Sequence, residues 1–302
     1  MSHQGQTSQT KLPKIGIVGP GAVGCMLGYY LNQAEFPVYF FGRDGAIDIE
    51  FSIEGVPNTL SFPKAQSSVD FFFMAVKSYQ VQTAIENHKW LKNTPGAIVC
   101  NGLLDEVLKD ETSLSSGLWH LGTTTIGVSS LVEKKWKIFN NGGYVVWGGD
   151  HNERSLDRII SDKTKKFGFA WSPLADLKRR EKWLFNTVIN SLCGYFQHPR
   201  NGLLLNDLEF LEKMFDESFS LGLELFGAWE NSRDFLWDTM IDLIKSTSEN
   251  ENSMVCDIRV GRETENQYLT GLVANSKSNF PTLRKVDARL ENINKGLQQP
   301  PQ

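Results

Sequence analysis

The segment Lys14-Ile-Gly-Ile-Val-Gly19-Pro20-Gly21-Ala22-Val23-Gly24 lies near the start of this 302-residue chain and decides its fold. A short apolar run breaks on glycines and continues into a helical pattern. Gly19 would permit a tight turn, Gly21 would let the backbone approach a pyrophosphate, and Gly24 would let the helix lie close to the sheet. The helix N-terminus would offer N–H groups to the phosphates. We therefore predict a dinucleotide site; the alternative is a tightly packed turn that binds nothing.

The residues that follow predict an α/β domain. A helix is expected over 25–32 and a second strand over 38–41. The continuous apolar run at 71–76 is typical of a strand buried inside a parallel sheet, and 97–100 predicts another. Strands that alternate with helices in this way indicate a doubly wound, Rossmann-type domain.

The second half of the chain has a different pattern. Residues 118–147 are β-rich and are expected to form an antiparallel extension that closes the first domain. Helical periodicity follows the Ser172-Pro173 break. The predicted helices there span 177–197, 208–230, 233–245, 263–278 and 282–294. We therefore divide the chain into a lead-in over 1–12, expected to be disordered, a Rossmann-type NADP-binding domain over 13–173, and an all-α substrate and catalytic domain over 174–302.

Composition narrows the classes of function. The net charge of −4 gives no electrostatic reason to expect nucleic acid or an anionic membrane as a partner. The four cysteines are scattered, without a CxxC pair, which argues against a zinc site and against a disulfide framework. No apolar run reaches membrane-spanning length. We expect a cytoplasmic protein with a small-molecule substrate and no metal; its assembly stays open, with a homodimer as one alternative.

A polar row crosses the predicted helix over 177–197. Lys182, Asn186 and Asn190 recur at every fourth position and share one face, whereas most of the neighbouring residues are apolar. In a cleft, this row would supply a proton donor and two hydrogen-bonding groups, and partial burial would lower the lysine pKa toward that of a general acid. The alternative is a solvent-exposed helix edge that continues the charged start at 178–180.

A third polar cluster lies over 252–265. One helix is expected to end at Gly261, and another to begin with Glu263 and Glu265, because acidic residues in a first turn favour the helix dipole. On this interpretation Ser253 is a helix cap. The alternative is that Ser253 and Glu265 bind a ligand.

Taken together, these stretches resemble the ketopantoate reductase (2-dehydropantoate 2-reductase) family over residues 14–281. The order and spacing of the motifs carry the resemblance. They are the glycine segment 19–24, Ala75-Val-Lys77-Ser78-Tyr-Gln80, Asn101-Gly-Leu, Gly122-Thr-Thr-Thr, the row Lys182, Asn186 and Asn190, Pro199-Arg-Asn201-Gly, and the cluster 252–265. The chain departs from the family at Asn266-Gln267, where Ile-Asp is usual, and again within 100–105. These departures bear on substrate identity more than on reaction type.

The resemblance implies a role for each matching position. The catalytic lysine of the family falls on Lys182, which would protonate the ketone oxygen as hydride arrives, and Glu265 would accept the terminal hydroxyl of ketopantoate. The remaining substrate-binding positions are Asn101, Asn186, Asn190, Asn201 and Ser253, of which Ser253 would contact the carboxylate. The cofactor-binding positions are Gly19, Pro20, Gly21, Ala22, Val23, Gly24, Arg43, Lys77 and Asn101.

The resemblance implies NADPH as cofactor, and the end of the second strand bears on that choice. An arginine at this place suits a 2′-phosphate, whereas an acidic residue would hold the ribose hydroxyls of NAD. Arg43 with Lys77 therefore favours NADPH, and Asp44 keeps NAD open.

The leading hypothesis is NADPH-dependent reduction of ketopantoate, or of a related branched 2-keto acid, with Lys182 as general acid. Two alternatives remain. One is a dehydrogenase of the same fold that acts on a different hydroxy acid or an opine-type substrate. The other is a non-catalytic, NADP-binding paralogue.

Overall fold

A computed structural model describes residues 11–42, 47–53, 56–63, 68–132, 135–139 and 142–297 of the chain. The lead-in predicted over 1–12 lies almost wholly outside the described residues, and Arg43 and Asp44 lie outside them as well. Among the described residues, no helix is both long and apolar enough to cross a membrane.

Two compact units divide the chain. The first comprises Met1–Val76, Thr83–Val99 and Thr112–Ser172. The second comprises Lys77–Gln82, Cys100–Glu111 and Pro173–Gln302. The helical unit therefore includes two short segments from the half of the chain that carries the strands.

The described strands are numbered in chain order. They are β1 Ile15–Val18, β2 Val38–Phe41, β3 Ile47–Ile53, β4 Val56–Phe62, β5 Phe71–Met74, β6 Gly96–Val99, β7 Trp119–Thr124, β8 Gly127–Val132, β9 Lys135–Phe139, β10 Val145–Gly148 and β11 Phe169–Ser172. The α-helices are α1 Ala22–Gln33, α2 Val81–Asn87, α3 Asp105–Leu108, α4 Thr112–Ser115, α5 Ser155–Thr164, α6 Ala175–Phe196, α7 Leu208–Phe226, α8 Arg233–Ser246, α9 Ser253–Arg259 and α10 Pro281–Leu297.

A seven-stranded sheet in the order β11-β10-β7-β6-β5-β1-β2 is the centre of the first unit. Its neighbouring strands run parallel, except that β10 is antiparallel to β7. Strands β1, β5 and β6 are buried along their whole length, as expected for strands inside a parallel sheet. The predicted α/β class with an all-α C-terminal part is confirmed.

The predicted β-rich extension is partly wrong. Strand β7 ends at Thr124, whose hydroxyl accepts a hydrogen bond from the Ile126 N–H at 3.1 Å. The chain turns there, and β8 and β9 join β3 and β4 in a separate four-stranded sheet of order β4-β3-β9-β8. Only β10 returns beside β7, with Val145 opposite Thr124.

Helix α6 runs through the core of the second unit. Its apolar face buries residues from Trp183 to Cys193 against side chains of α7, α9 and α10. The apolar pattern predicted this central position. The helix ends at Phe196, and its cap, Gln197, takes the left-handed conformation.

The helix predicted over 263–278 is wrong. This segment contains two short 3₁₀ turns, Asn266–Tyr268 and Thr270–Asn275. The Asn266 side chain donates to Asp287 at 2.7 Å, and the Thr270 hydroxyl lies within hydrogen-bond distance of both residues. Polar side chains that bind each other across the segment compete with a regular helical ladder.

Candidate active site

The glycine loop joins β1 to α1 in the first unit. Gly19 has a φ of +98°, and a Cβ atom there would lie 2.9 Å from the Ala75 carbonyl oxygen. A Cβ atom on Gly24 would lie 1.9 Å from the Gly19 carbonyl oxygen. Both glycines are therefore required by the packing of the loop itself.

Gly21 differs from these two glycines because packing does not explain it. Its backbone has a φ of −80°, and no described atom lies within 4 Å of the place a Cβ would take. Gly21 also caps α1 without a side-chain hydrogen bond, and no acidic residue occupies the first turn. An open approach to uncapped N–H groups is the arrangement that a pyrophosphate needs, so these residues fit a dinucleotide.

A chain of hydrogen bonds connects three of the predicted residues inside the second unit. The Lys182 ammonium donates to Asn101 Oδ1 at 2.9 Å. The Nδ2 of Asn101 in turn donates to Glu265 Oε2 at 3.0 Å. The carboxamide of Asn101 thus joins the predicted proton donor to the predicted acidic residue.

The loop that carries Asn101 is held in place by its neighbours. Gly102 has a φ of +73°, and its missing side chain lets it pack against Tyr268, where a Cβ would lie 2.5 Å from the Tyr268 Cβ. The Leu103 N–H donates to the Tyr268 carbonyl at 3.2 Å. This contact places Asn101 beside Glu265.

Glu265 is almost completely buried, with 7% of its surface exposed. The N–H and the hydroxyl of Ser78 lie 3.1 and 3.0 Å from Oε1. The Lys77 ammonium lies 3.6 Å from Oε2 and 2.5 Å from Asp257 Oδ2. Lys77 is therefore engaged by two carboxylates of its own unit, so its predicted role beside the cofactor gains no support from these contacts.

The pKa values in this group follow from burial and charge. Burial lowers the pKa of Lys182 to about 8, although Glu265 acts in the opposite direction. Burial raises the pKa of Glu265, but Lys77 and the hydrogen bonds from Asn101 and Ser78 outweigh it, so the net pKa lies below the usual value. Lys182 can therefore exchange its proton near neutral pH while Glu265 stays ionised.

A second polar group brings Asn190, Asn201 and Ser253 together. The Nδ2 of Asn252 lies 3.0 Å from Oδ1 of both Asn190 and Asn201. The Nδ2 of Asn190 lies 3.4 Å from the Ser253 hydroxyl. Asn252 also caps α9, because its side chain accepts from the Met254 N–H. Ser253 is the first residue of α9, so the predicted cap is its neighbour.

Asn186 lies between these two groups along α6 and is partly exposed. Among the described residues its carboxamide has no hydrogen-bond partner in the structure. The row at Lys182, Asn186 and Asn190 is thus intermediate in exposure, neither a fully exposed edge nor a buried row. Asn186 is the member of the row that remains open to a ligand.

Sequence reasoning did not assign roles to three residues of these groups: Ser78, Asn252 and Asp257. Ser78 follows Lys77 directly in a quoted motif, and Asn252 precedes a helical pattern as a typical cap. Asp257 lies one helical turn after Ser253. Their positions were visible, but their partners lie far away in the sequence and only folding brings them together. Among the described residues no cluster of three or more His, Cys, Asp or Glu could hold a metal ion.

Two family models match the chain. The model described as ketopantoate reductase PanE/ApbA matches residues 15–153, and the model of its C-terminal part matches residues 175–276. This chain belongs to the ketopantoate reductase family. Members of the family are NAD(P)-dependent oxidoreductases, and the chain is an oxidoreductase.

Curated relatives named 2-dehydropantoate 2-reductase match most of the chain at low identity. The protein of Archaeoglobus fulgidus is 22% identical, covering 95% of this chain and 99% of its own length. That of Pyrococcus horikoshii is 24% identical, covering 86% and 89%. That of Bacillus subtilis is 23% identical, covering 88% and 91%.

Solved structures share the fold. A D-mandelate dehydrogenase solved with NADH and anilino(oxo)acetate has a TM-score of 0.80 at 17% identity, covering 95% of this chain and 100% of its own. The dimeric ketopantoate reductase of Staphylococcus aureus has a TM-score of 0.76 at 17% identity, covering 94% and 99%. At these identities the likeness supports the two-part fold and leaves the substrate open.

Proposed function

We propose that this protein reduces a branched 2-keto acid, ketopantoate or a close relative, to the 2-hydroxy acid with NADPH, and that Lys182 is the general acid. The observation that carries the proposal is the hydrogen bond from Lys182 to Asn101, which holds an ammonium of lowered pKa on a rigid helix. Membership of the ketopantoate reductase family supplies the reaction class.

The reduction needs a proton at the carbonyl oxygen when hydride reaches the carbonyl carbon. Bound NADPH would supply the hydride. Lys182 would supply the proton, and the fixed carboxamide of Asn101 would aim its Nζ, because a positioned acid reacts faster than a mobile one. With a pKa of about 8, Lys182 is largely protonated at neutral pH and still gives up its proton readily.

The polar group around Ser253 suits the carboxylate of the substrate. The Ser253 hydroxyl and the Asn190 carboxamide already contact each other. Asn186 lies one turn earlier on α6, and its amide donors have no partner in the described part of the chain. Hydroxyl and amide donors of this kind bind a carboxylate without a second buried charge. Asn201 contributes indirectly, since its Oδ1 lies at 3.0 Å from the Nδ2 of Asn252.

The preference for NADPH rests on Arg43, which follows β2 in the sequence. Strand β2 pairs with β1 in parallel, with Phe41 opposite Val18, so it ends beside the start of the glycine loop. A Cβ atom on Gly42 would lie 2.9 Å from the Pro20 ring. An arginine directly after this point suits the 2′-phosphate.

The test is to follow NADPH and NADH oxidation with ketopantoate and to repeat it with Lys182→Ala. We expect faster turnover with NADPH, and a loss of about 10²–10⁴-fold in kcat for Lys182→Ala, the usual contribution of a general acid. NADPH affinity, measured by fluorescence titration, should change little in this variant.

Lys178→Ala is the matched control, because Lys178 lies one turn earlier on α6 and pairs with Glu181. It should retain its turnover. A Lys182→Ala protein as active as the parent would contradict the assignment of the proton donor.

A further inference from the structure

A buried arginine lies at the charged start of α6. Only 7% of the Arg179 side chain is exposed, although its neighbours in the sequence are Lys178 and Arg180. Arginine is almost never fully buried without a partner, because ion pairs and hydrogen bonds must offset the desolvation of its charge. The guanidinium of Arg179 has two such partners, one on its own helix and one on a different segment.

The partner on the same helix is Asp176, whose Oδ1 lies 2.6 Å from Nη1 of Arg179. The other partner is Asp105, whose Oδ2 accepts from Nη2 at 2.9 Å. Asp105 is the first residue of α3 and belongs to the segment Cys100–Glu111, which also carries Asn101. Arg179 therefore joins α6 to the segment that contains Asn101.

This ion pair lies next to the hydrogen bond from Lys182 to Asn101. Arg179 precedes Lys182 by three residues, about one turn of α6. Asp105 follows Asn101 by four residues. Two polar contacts thus join the same two segments, and one of them is made by the proposed proton donor. A shift of the segment along α6 would strain both contacts, so the ion pair restricts the movement of Asn101 relative to Lys182.

The ion pair fixes a direction that apolar packing does not. Leu103 and Leu108 of the same segment are buried. Burial of apolar surface favours contact without fixing an orientation. The planar guanidinium of arginine, in contrast, presents its donors in a fixed geometry. Because Asp176 holds this group from one side, its remaining donors define where Asp105 lies against α6.

We infer that Arg179 and Asp105 are positioning residues, which keep Asn101 within hydrogen-bond distance of Lys182. Both act through the carboxamide of Asn101, and neither contacts the reacting atoms. The expected effect on turnover rests on the proposed function, in which Lys182 is the general acid. The effect on the placement of Asn101 does not.

The test begins with Asp105→Asn. This change removes the charge of a side chain that is 57% exposed and leaves Arg179 paired with Asp176, so the fold should be retained. We expect kcat with ketopantoate to fall by about 10- to 10²-fold, as for a general acid that is present but displaced, while NADPH affinity stays the same. Asp105→Glu keeps the charge and should recover part of the loss.

Glu106→Gln is the matched control. Glu106 is the next residue in the first turn of α3, so its replacement changes the charge near the helix dipole in the same way. Its carboxylate pairs with Lys109 at 3.2 Å and makes no described contact with α6. This variant should retain the kcat of the parent.

A measurement without turnover completes the test. The acetylation rate of Lys182 as a function of pH, followed by mass spectrometry, reports its pKa. Burial lowers this pKa, so displacement of the Asn101 segment would admit water and shift the rate profile of Asp105→Asn to higher pH. Loss of a negative charge alone would shift the profile to lower pH. The direction therefore distinguishes displacement from a simple charge effect, and Glu106→Gln should show no shift to higher pH.

The outcomes separate the positioning role from the proposed function. A profile of Asp105→Asn that does not move to higher pH would overturn the positioning role, and so would an equal loss of kcat in Glu106→Gln. A rise in KM at unchanged kcat would overturn it as well. If the parent does not reduce ketopantoate but the profile of Asp105→Asn moves to higher pH, the proposed function fails while the positioning role stands.

Discussion

Lys182 combines an ammonium group with surroundings that disfavour its charge. Its described hydrogen bond goes to one neutral oxygen, Oδ1 of Asn101, at 2.9 Å. This oxygen accepts a hydrogen bond from the ammonium but carries no negative charge. It therefore raises the pKa of Lys182 less than a carboxylate at the same distance would. The carboxylate of Glu265 accepts from the Nδ2 of the same amide and raises the pKa of Lys182 by its charge.

This arrangement predicts a pH profile. Only the protonated amine can serve as acid, so kcat/KM should be constant below pH 8 and fall about tenfold per unit above the Lys182 pKa of about 8. Initial rates between pH 6 and pH 10 at saturating NADPH would measure it. A profile that stays flat to about pH 10, the range of an ordinary lysine, would contradict the lowered pKa.

Residue types and spacing singled out Lys182, whereas Asn101 and the role of Glu265 came only from the resemblance to the family. The same pattern could not show which partner each side chain takes. Ser78 contacts a glutamate 187 positions away. Asn252 joins asparagines from two other segments. Such contacts follow from packing, and no local periodicity predicts them.

The turn between β1 and α1 contains two glycines through which packing and cofactor binding can be tested separately. Gly24→Ala would place a Cβ 1.9 Å from a backbone oxygen, so it should lower the midpoint of thermal unfolding clearly. Gly21→Ala has open space and an ordinary φ, so its stability should match the parent. Its Cβ would occupy the approach to the phosphates, and we expect at least a tenfold loss in NADPH affinity, about 1.4 kcal/mol.

Calorimetry and a fluorescence titration on the two variants would check this pair of expectations. Unchanged NADPH affinity in a stable Gly21→Ala protein would move the dinucleotide site away from the loop. The pair is informative because each variant serves as the control of the other.

Helices and strands with a strong apolar pattern were predictable from the sequence. Segments whose conformation depends on contacts between polar side chains were not. The apolar stripe of α6 and the continuous apolar run of β5 gave both their type and their burial. The stretch 263–278 has helical spacing too, yet Asn266, Thr270 and Asp287 bind one another and divide it into short turns. A buried carboxamide such as that of Asn266 requires such partners.

At the scale of the molecule, each unit has its own apolar core. The first unit also contains an ion pair whose carboxylate is buried. Asp157 is completely buried; it pairs with Arg154 Nε at 2.5 Å and accepts from Trp147 Nε1 at 2.7 Å. Burial raises its pKa, but the partners, Arg154 first among them, lower it well below the usual range.

Asp157→Asn should therefore lower the free energy of unfolding of the first unit by about 1.5–3 kcal/mol, because it removes the charged acceptor of the hydrogen bonds from Arg154 and Trp147. Hydrogen exchange should accelerate in β7 and β10 and remain unchanged in α6. Asp162→Asn, an exposed change on the same helix, is the control. Similar exchange in both variants would show that the pair contributes little.

The contribution of Asp157 to the free energy of unfolding should decrease as the pH falls. Because its folded pKa is depressed, the stabilisation is complete above the unfolded carboxyl pKa of about 4 and disappears as the pH falls through lower values. The parent and Asp157→Asn should therefore become more alike in stability on acidification, as denaturant titrations at pH 7 and pH 3 would show.

The helical unit includes two short segments that lie between strands in the sequence, Lys77–Gln82 and Cys100–Glu111. A chimera that exchanged everything after residue 173 with a relative would therefore keep Lys77, Ser78 and Asn101 from one parent and take Lys182 and Glu265 from the other. In such a chimera, Asn101 would come from a different parent than its hydrogen-bonding partners Lys182 and Glu265. To keep the hydrogen bonds around Lys182 within one parental sequence, the two short segments and the helical part should be exchanged together.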